Sequence, residues 1–270
     1  MTASHPSTSP KPQRILIVRV SALGDLVFCT SLLDGLRRAW PQAHIAWLAQ
    51  PGFADILEGD PRLDALIRLP RRALNGLAGL IATWRLLHAQ APYDWVIDAQ
   101  GLLKTRVLAR LAPARFRIGF VSKEPGEFLM DRLIAKGGEL ADISSEYRFL
   151  AQTLTGQDPG PPRLLPTETT SALPAGFIAL CPFTTRPQKH WMEDYWSELA
   201  QALHAAGLGP CVIFGGPADR LATDRIMRTM PAGTVDKVGQ TRVADLPALL
   251  HQARLVIGVD TGLTHIGVAL

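Results

Sequence analysis

The stretch that most constrains the fold lies near the end of the chain, at 254–265, and reads RLVIGVDTGLTH. Its apolar run, 255–259, is typical of a buried strand in a parallel sheet. The run stops at Asp260-Thr261-Gly262, and helix-forming residues follow. A strand that turns directly into a helix leaves backbone N–H groups at the helix start. Those groups and the helix dipole can bind a phosphate.

Three residues around this turn suit an anionic ligand. Thr261 offers a hydroxyl, and Gly262 lets a ligand approach the backbone because it has no side chain. His265 follows Thr261 by four residues, so it lies on the same side of the helix. An ordinary capped helix in an α/β domain would show the same D-T-G, so this turn alone leaves both interpretations open.

Length and composition favour a globular chain with two cores. At 270 residues the chain is long for one core. With 47% hydrophobic and 19% charged residues, it is globular rather than disordered. The net charge of +4 suggests anionic ligands, and we expect no nucleic-acid partner. No apolar run reaches about 18 residues, so we expect no membrane span.

The three cysteines, Cys29, Cys181 and Cys211, are scattered and show no metal-binding spacing. Reduced thiols in a cytosolic protein are the simplest interpretation, and we expect no metal site. Residues 1–13 are rich in Ser and Pro and lack an apolar core. They are predicted to form a disordered tail rather than a signal peptide.

Strands alternate with helices from residue 14 onward, which predicts a doubly wound parallel sheet. The apolar segments of strand length are 15–20, 44–48, 65–69 and 95–97. Two stretches carry apolar residues at helical spacing. The first begins near Gly24 and contains Leu26, Cys29, Leu33, Leu36 and Trp40, and the second contains Leu74, Leu77, Ile81 and Trp84. We therefore place a first α/β domain at 14–156.

Five prolines and no apolar periodicity mark the region from Gly156 to Pro174, so we place a linker at 157–174. The strand and helix patterns then resume, and the second domain is predicted at 175–270. Ligands of such domains bind at the carboxyl ends of the strands. Two domains that face each other would therefore bind them across a cleft.

Asp25 follows the first strand and lies in the first turn of the predicted helix. An acidic side chain there can simply stabilise the helix start through the dipole. A carboxylate that faces the cleft can instead act as a general base. The residue type and position alone fit either role.

Polar groups also follow the strands of the second domain. Thr184, Thr185 and Lys189 come after its first strand and suit a diphosphate, although a solvated basic loop is the alternative. Gly215 and Asp219 follow the next strand, where a carboxylate could bind ribose hydroxyls.

Cations follow the strands of the first domain at Arg71, Arg72, Lys104 and Lys123. Each alone would be an ordinary surface charge. Together at strand ends they suggest an anionic acceptor, opposite the diphosphate and ribose that the second domain is predicted to bind.

Several of these residues lie in five segments, which occur along the chain in the following order: ILIVRVSALGDLVFCTSLL, VIDAQGLLK, TTRPQKHW, FGGPADR and VIGVDTGLTH. This order resembles the ADP-heptose:lipopolysaccharide heptosyltransferases, glycosyltransferase family 9, over nearly the whole chain. The DAQGLLK and KHW pieces look most like heptosyltransferase I. That enzyme adds the first heptose to 3-deoxy-manno-octulosonic acid (Kdo) on lipid A.

The resemblance implies a GT-B fold of two Rossmann-like, doubly wound domains, with the acceptor on the first and the ADP-sugar on the second. It implies an inverting transfer of heptose from ADP-L-glycero-D-manno-heptose to the Kdo of lipid A, without a metal or other cofactor. The enzyme would be a monomer at the cytoplasmic face of the inner membrane, aided by basic residues near anionic lipid.

Matched residue by residue, the resemblance makes Asp25 the catalytic base and Lys189 the cation on the donor diphosphate. The donor-binding positions are matched by Thr184, Thr185, Lys189, Gly215, Asp219, Asp260, Thr261, Gly262 and His265, and the acceptor-binding positions by Arg71, Arg72, Lys104 and Lys123. Two residues depart from the family. Lys123 replaces an arginine, which loses bidentate geometry but keeps the charge, and Asp219 replaces a longer glutamate.

Two alternatives stay open. The chain could be heptosyltransferase II or another family 9 enzyme with a different acceptor, or a protein that binds a nucleotide sugar without turnover. Family members continue past D-T-G-x-x-H through another strand and closing helices. We therefore expect the second domain to be incomplete here, and the activity of the 270-residue chain to need its own test.

Overall fold

The computed structural model describes residues 11–70, 72–73, 75–138, 142–166 and 172–270. This part of the chain forms two compact units. The first contains 11–20, Ser31–Ala54 and Pro61–Gly160, and the second contains Ser21–Thr30, Asp55–Asp60 and Pro161–Leu270. Two short segments of the predicted first domain, 21–30 and 55–60, therefore fold with the second unit. Residues 1–10 of the predicted tail lie outside the described residues.

The first unit is built on a parallel sheet. Its strands are β1 (Arg14–Val18), β2 (His44–Ala49), β3 (Ala65–Arg68), β4 (Tyr93–Asp98), β5 (Ala114–Phe120) and β6 (Arg132–Ile134). Within the described residues their order is β3-β2-β1-β4-β5-β6. The last two strands were not predicted from the sequence. β5 alternates charged and apolar side chains, and β6 has only three residues, so neither shows a continuous apolar run.

The first predicted helix is in fact two, α1 (Leu23–Phe28) and α2 (Thr30–Ala39). Between them, the Thr30 hydroxyl donates a hydrogen bond of 2.7 Å to the Val27 carbonyl. The expected single helix is wrong because the apolar stripe runs on across the junction, where Cys29 is fully buried. Periodicity alone cannot show such a break.

Helix α3 (Gly76–His88) confirms the second predicted helix, but its apolar stripe faces outward. The exposed members of the stripe are Leu77, Ile81 and Trp84, at 74%, 41% and 46% exposure. The buried side carries Gly79, Thr83 and Leu87. Leu74, the first member of the predicted stripe, lies outside the described residues.

The second unit is built on another parallel sheet. Its strands are β7 (Ile178–Cys181), β8 (Cys211–Ile213), β9 (Val235–Asp236) and β10 (Leu255–Gly258), and its later helices are α6 (Glu193–Ala205), α7 (Arg220–Met227), α8 (Leu246–His251) and α9 (Gly262–Val268). The order in the described chain is β10-β7-β8-β9. The predicted class, α/β with two parallel sheets, is confirmed.

One expectation about β10 is wrong. We expected a buried strand, but within the described residues β10 lies at an edge of its sheet and Leu255 is 49% exposed. An apolar run predicts a strand and does not distinguish a central position from an edge.

The three cysteines are free and buried, as expected for reduced thiols. Burial raises the pKa of Cys181 to about 12, so its thiol stays neutral.

No helix in the described ranges is both long and apolar enough to cross a membrane.

Arg106, on α4 (Leu103–Leu111), ties down the loop that follows β5. Its guanidinium is fully buried and donates hydrogen bonds to the carbonyls of Phe120, Glu124 and Pro125, at 3.0, 2.6 and 2.7 Å. A nearby carboxyl, Asp98, is also fully buried. Burial raises the pKa of Asp98, and the Arg106 charge opposes that rise. The guanidinium therefore serves both the loop and the carboxylate.

We predict that Arg106→Met lowers the free energy of unfolding by about 3 kcal/mol, because buried carbonyl groups lose a charged donor. Urea unfolding followed by circular dichroism measures the change. Arg110, on the same helix, is exposed, and Arg110→Met should change the free energy by less than about 0.5 kcal/mol. Equal losses in the two variants would contradict this account of Arg106.

Candidate active site

Predicted donor-site residues follow three neighbouring strands of the second unit. β10, β7 and β8 are adjacent and parallel, so their carboxyl ends lie along one edge of the sheet. Asp260 follows β10, Thr184 follows β7, and Gly215 follows β8. The topology therefore brings the three loops to one edge, as expected for a site in a parallel α/β sheet.

Lys189, Asp260 and His265 form a charged cluster at this edge. The Lys189 ammonium donates to Asp260 Oδ2, and His265 Nε2 lies 3.0 Å from Asp260 Oδ1. The hydrogen bond from Lys189 lowers the pKa of Asp260, so this carboxylate is ionised at neutral pH. The Asp260 side chain is 55% exposed, so solvent or a ligand can reach the cluster.

Thr184 and His190 shape the loop that presents Lys189. The Thr184 hydroxyl makes a long hydrogen bond of 3.5 Å to the Asp260 carbonyl. His190 Nε2 lies 2.8 Å from the Thr184 carbonyl, which closes the loop between them. Thr185 is exposed beside Thr184. No role was predicted for His190, although it belongs to the KHW piece that carried the resemblance.

The turn after β10 begins a helix as predicted, since α9 starts at Gly262 and Thr261 is its N-cap residue. Within the described structure, the Thr261 side chain makes no capping hydrogen bond to its own helix. Its hydroxyl therefore has hydrogen-bonding capacity for a ligand.

Helices α1 and α9 pack against each other at two glycines. A Cβ on Gly24 would lie 2.5 Å from the His265 ring, and a Cβ on Gly262 would lie 2.9 Å from Leu23. The Phe28 ring also contacts the His265 ring, with 4.6 Å between centroids. The space beside Gly262 was expected to admit a ligand, but in the structure it admits the side chain of Leu23.

Asp25 lies on α1, next to the glycine that touches His265. Its carboxylate is half-buried and accepts a hydrogen bond of 3.3 Å from the Ala22 N–H. This contact fits the structural role that an acidic residue has at a helix start. Asp25 follows Gly24 in the sequence, and Gly24 lies against His265, which contacts the Asp260 that pairs with Lys189.

Gly215 and Asp219 form a separate turn after β8. Asp219 Oδ2 accepts a hydrogen bond of 2.8 Å from the Gly216 N–H, which closes the turn. Phe183 packs against Gly215, where a Cβ would lie 2.5 Å from its ring. β7 separates this turn from β10, so the turn lies about 10 Å along the sheet edge from Asp260.

In the first unit, the turn in VIDAQGLLK supports the end of β1. Asp98 Oδ1 accepts hydrogen bonds from the Gln100 and Gly101 N–H groups, at 3.0 and 3.1 Å. Gln100 Oε1 in turn accepts from the Val20 N–H at 3.0 Å. Val20 immediately precedes the segment that leads into α1. In the structure, this motif therefore holds the backbone before the Asp25 segment.

The predicted acceptor cations follow strands of the first sheet. Arg72 follows β3, Lys104 follows β4 and Lys123 follows β5, and all three side chains are exposed. The strand order puts two strands between β3 and β4, so Arg72 and Lys104 follow strands about 14 Å apart. Arg71 lies outside the described residues.

In the part of the chain that the structure describes, no group of three or more His, Cys, Asp or Glu side chains comes together in a way that could hold a metal ion. The charged cluster at Asp260 contains Lys189, whose ammonium can donate hydrogen bonds to an anion.

Comparison with known proteins places this geometry in a family. Lipopolysaccharide heptosyltransferase 1 of Pseudomonas aeruginosa is 29% identical over 271 residues, which is 95% of this chain and 76% of that protein. Escherichia coli heptosyltransferase WaaC with ADP is a similar solved structure, with a TM-score of 0.78 and 25% identity over 95% of this chain and 84% of that one. The structure of Escherichia coli ADP-heptose lps heptosyltransferase II has a TM-score of 0.77 and 21% identity, over 95% of this chain and 82% of that one.

The family model of glycosyltransferase family 9 (heptosyltransferase) matches residues 80–270, which is most of the chain. The match covers the DAQG turn, the loop of Lys189 and the helix start at Thr261. This protein therefore belongs to glycosyltransferase family 9, the heptosyltransferases, and is a glycosyltransferase.

Proposed function

We propose that the protein transfers heptose from ADP-L-glycero-D-manno-heptose to the Kdo of lipid A, with inversion at the anomeric carbon, in lipopolysaccharide inner-core synthesis. The observation that carries the proposal is the continuous set of contacts from α1 through His265 to Asp260 and Lys189. It joins α1, the helix that carries the proposed base Asp25, to the proposed diphosphate site within one compact unit. The similarity to heptosyltransferase 1 of Pseudomonas aeruginosa supports the choice of acceptor.

The donor diphosphate would lie at the edge formed by β7 and β10. The Lys189 ammonium has further N–H donors besides the one that Asp260 accepts, so it can bind phosphate oxygens while its carboxylate partner holds it in place. The hydroxyls of Thr184, Thr185 and Thr261, with the backbone at Gly262, would complete the contacts. The turn of Gly215 and Asp219, one strand further along, would bind the nucleoside.

The reaction would begin when Asp25 takes the proton of the Kdo hydroxyl. The resulting oxygen nucleophile attacks the anomeric carbon of the heptose from the side opposite the diphosphate, and the bond to ADP breaks. Negative charge develops on the departing ADP, and Lys189 stabilises it from a fixed position. The positive charge for this step comes from the protein, and the proposal includes no metal or other cofactor.

The acceptor would lie on the first unit. Kdo carries a carboxylate and lipid A carries phosphates, so Arg72, Lys104 and Lys123, with Arg71, supply charges of the opposite sign. Since lipid A is anchored in a membrane, we propose that the protein works at the cytoplasmic face of the inner membrane. We also propose that it works as a monomer.

A second candidate within the family is heptosyltransferase II, which acts on a different acceptor. This candidate stays open because lipooligosaccharide heptosyltransferase 2 of Haemophilus ducreyi is also similar, with 22% identity over 95% of this chain and 80% of that protein. A third candidate is a chain that binds ADP-heptose without turnover. Mass analysis of acceptors after incubation with ADP-heptose separates the three.

We predict that a Kdo-terminated acceptor gains the mass of one heptose, whereas an acceptor that already carries heptose on Kdo does not. The reverse result would favour heptosyltransferase II. Calorimetric binding of ADP with no mass change on either acceptor would identify a binding protein.

We predict that Lys189→Ala weakens ADP binding more than roughly tenfold, because the diphosphate loses its main charged donor. Isothermal titration calorimetry measures the affinity. The matched control is Arg254→Ala, which removes one positive charge just before β10, at the opposite end of that strand from Asp260. Equal affinities for the parent and Lys189→Ala would remove Lys189 from the site.

We predict that Asp25→Asn lowers turnover with the Kdo acceptor by about a hundredfold or more, because an amide cannot accept the proton. The amide oxygen can still accept the hydrogen bond from the Ala22 N–H. The melting temperature should therefore fall by only a few degrees, as for a change worth about 0.3–1 kcal/mol. ADP binding should be unchanged. Near-normal turnover would leave Asp25 with the helix-start role alone.

A further inference from the structure

Helix α3 carries a stripe of large apolar side chains on its outward side, whereas Gly79, Thr83 and Leu87 are buried on its other side. Leu77, Ile81 and Trp84 are 74%, 41% and 46% exposed. Their spacing of four and then three residues aligns them in one stripe along the helix. The Trp84 ring is stacked on His88, with 4.3 Å between centroids, which extends the stripe by another turn. A surface helix normally turns its large apolar residues toward the core, and in α3 Leu87 does so while the stripe does not.

The buried side of α3 is fixed tightly to the loop that carries Arg72. A Cβ on Gly79 would collide with the Arg72 carbonyl, so only glycine allows the helix to lie this close. The Thr83 hydroxyl donates to the Ala73 carbonyl at 2.9 Å. The exposed stripe and Arg72, one of the proposed acceptor cations, therefore belong to one packed element.

The segment of the chain that contains α3 carries Arg but no Asp or Glu. Between Asp64 and Asp94 the sequence contains no Asp or Glu and four arginines, so this segment carries as much net positive charge as the whole chain, +4. Three of these arginines are described, and each is exposed: Arg68, Arg72 and Arg85. An apolar stripe flanked by arginine is the arrangement of helices that lie in a membrane interface.

The exposed area of the stripe is small for a protein partner. The three side chains together expose on the order of 300 Å², whereas a stable protein interface buries about 800 Å² on each side. A lipid surface has no such threshold, because apolar side chains enter the headgroup boundary one at a time while arginines meet lipid phosphates. The charge and the area therefore favour anionic lipid.

We propose that the exposed stripe of α3, with Arg68, Arg72 and Arg85, docks on an anionic phospholipid bilayer. Docking would hold Arg72 at the membrane surface, where a lipid-anchored acceptor presents its sugar. This consequence for the acceptor rests on the proposed function, whereas lipid binding itself does not.

Flotation of the full chain with vesicles tests the proposal. Vesicles of phosphatidylethanolamine with phosphatidylglycerol should bind the protein, vesicles of phosphatidylcholine should bind it weakly, and added salt should weaken binding to the anionic vesicles. No acceptor or ADP-heptose is present, so failure of the proposed transfer reaction would leave this result unchanged.

The deciding variant is Leu77→Asn, which should weaken vesicle binding about tenfold because a leucine no longer leaves water. Leu221→Asn is the matched control. Leu221 is 76% exposed, also on a helix, but α7 carries Asp224, which accepts a hydrogen bond of 2.9 Å from Arg220. The control should bind vesicles like the parent. Both side chains are exposed, so both variants should keep the parent's melting temperature within a few degrees.

A second readout reports insertion directly. Brominated lipids should quench part of the tryptophan fluorescence in the parent, and Trp84→Phe should lose that part.

Leu77→Asn should also keep parental turnover on a lipid-free Kdo acceptor, and lose turnover only when the acceptor sits in vesicles.

Three results would overturn the proposal: no vesicle binding by the parent, equal binding to neutral and anionic vesicles, or equal losses for Leu77→Asn and Leu221→Asn. Self-association that Leu77→Asn abolishes, without any vesicle binding, would overturn it in favour of a protein contact.

Discussion

The packing of α1 on α9 is the contact on which the rest of the site depends. It requires glycine twice, because Gly24 makes room for the His265 ring and Gly262 makes room for Leu23. His265 then holds Asp260, and Asp260 holds Lys189. A side chain at either glycine would push the helices apart and separate the proposed base from the proposed diphosphate site. One close helix contact therefore fixes groups that come from three distant parts of the sequence.

Much of the fold could be predicted from periodicity, and the errors have physical reasons. The apolar strands and the restart of the pattern after the linker gave the α/β class. Strand β5 was missed because its charged residues alternate with apolar ones, as in a half-exposed strand. The break at Cys29 was missed because the stripe continues through it. The outward stripe of α3 was missed because periodicity gives a face and does not say which neighbour, if any, covers it.

The candidate site was predicted through residue types at strand ends, and the sheet topology explains why the loops that carry some of those residues meet in the second unit. Lys189 and Asp260 are 71 residues apart, yet adjacent parallel strands bring their loops together. The packing around them was not predictable. Phe28 against His265, His190 against the Thr184 carbonyl and Arg106 inside the β5 loop depend on three-dimensional neighbours that leave no spacing in the sequence.

The division of the chain into units has a consequence for how the protein is made. Gly24 and His265 are separated by 241 residues, although they touch within one unit. At a synthesis rate of about 5–20 residues per second, α1 leaves the ribosome roughly 10–50 s before its partner helix exists. During that interval the first unit can fold, while α1 still lacks the helix against which it packs. The contact between α1 and α9 is therefore among the last parts of the nascent chain to be completed, and any activity that depends on it begins only when synthesis has passed α9.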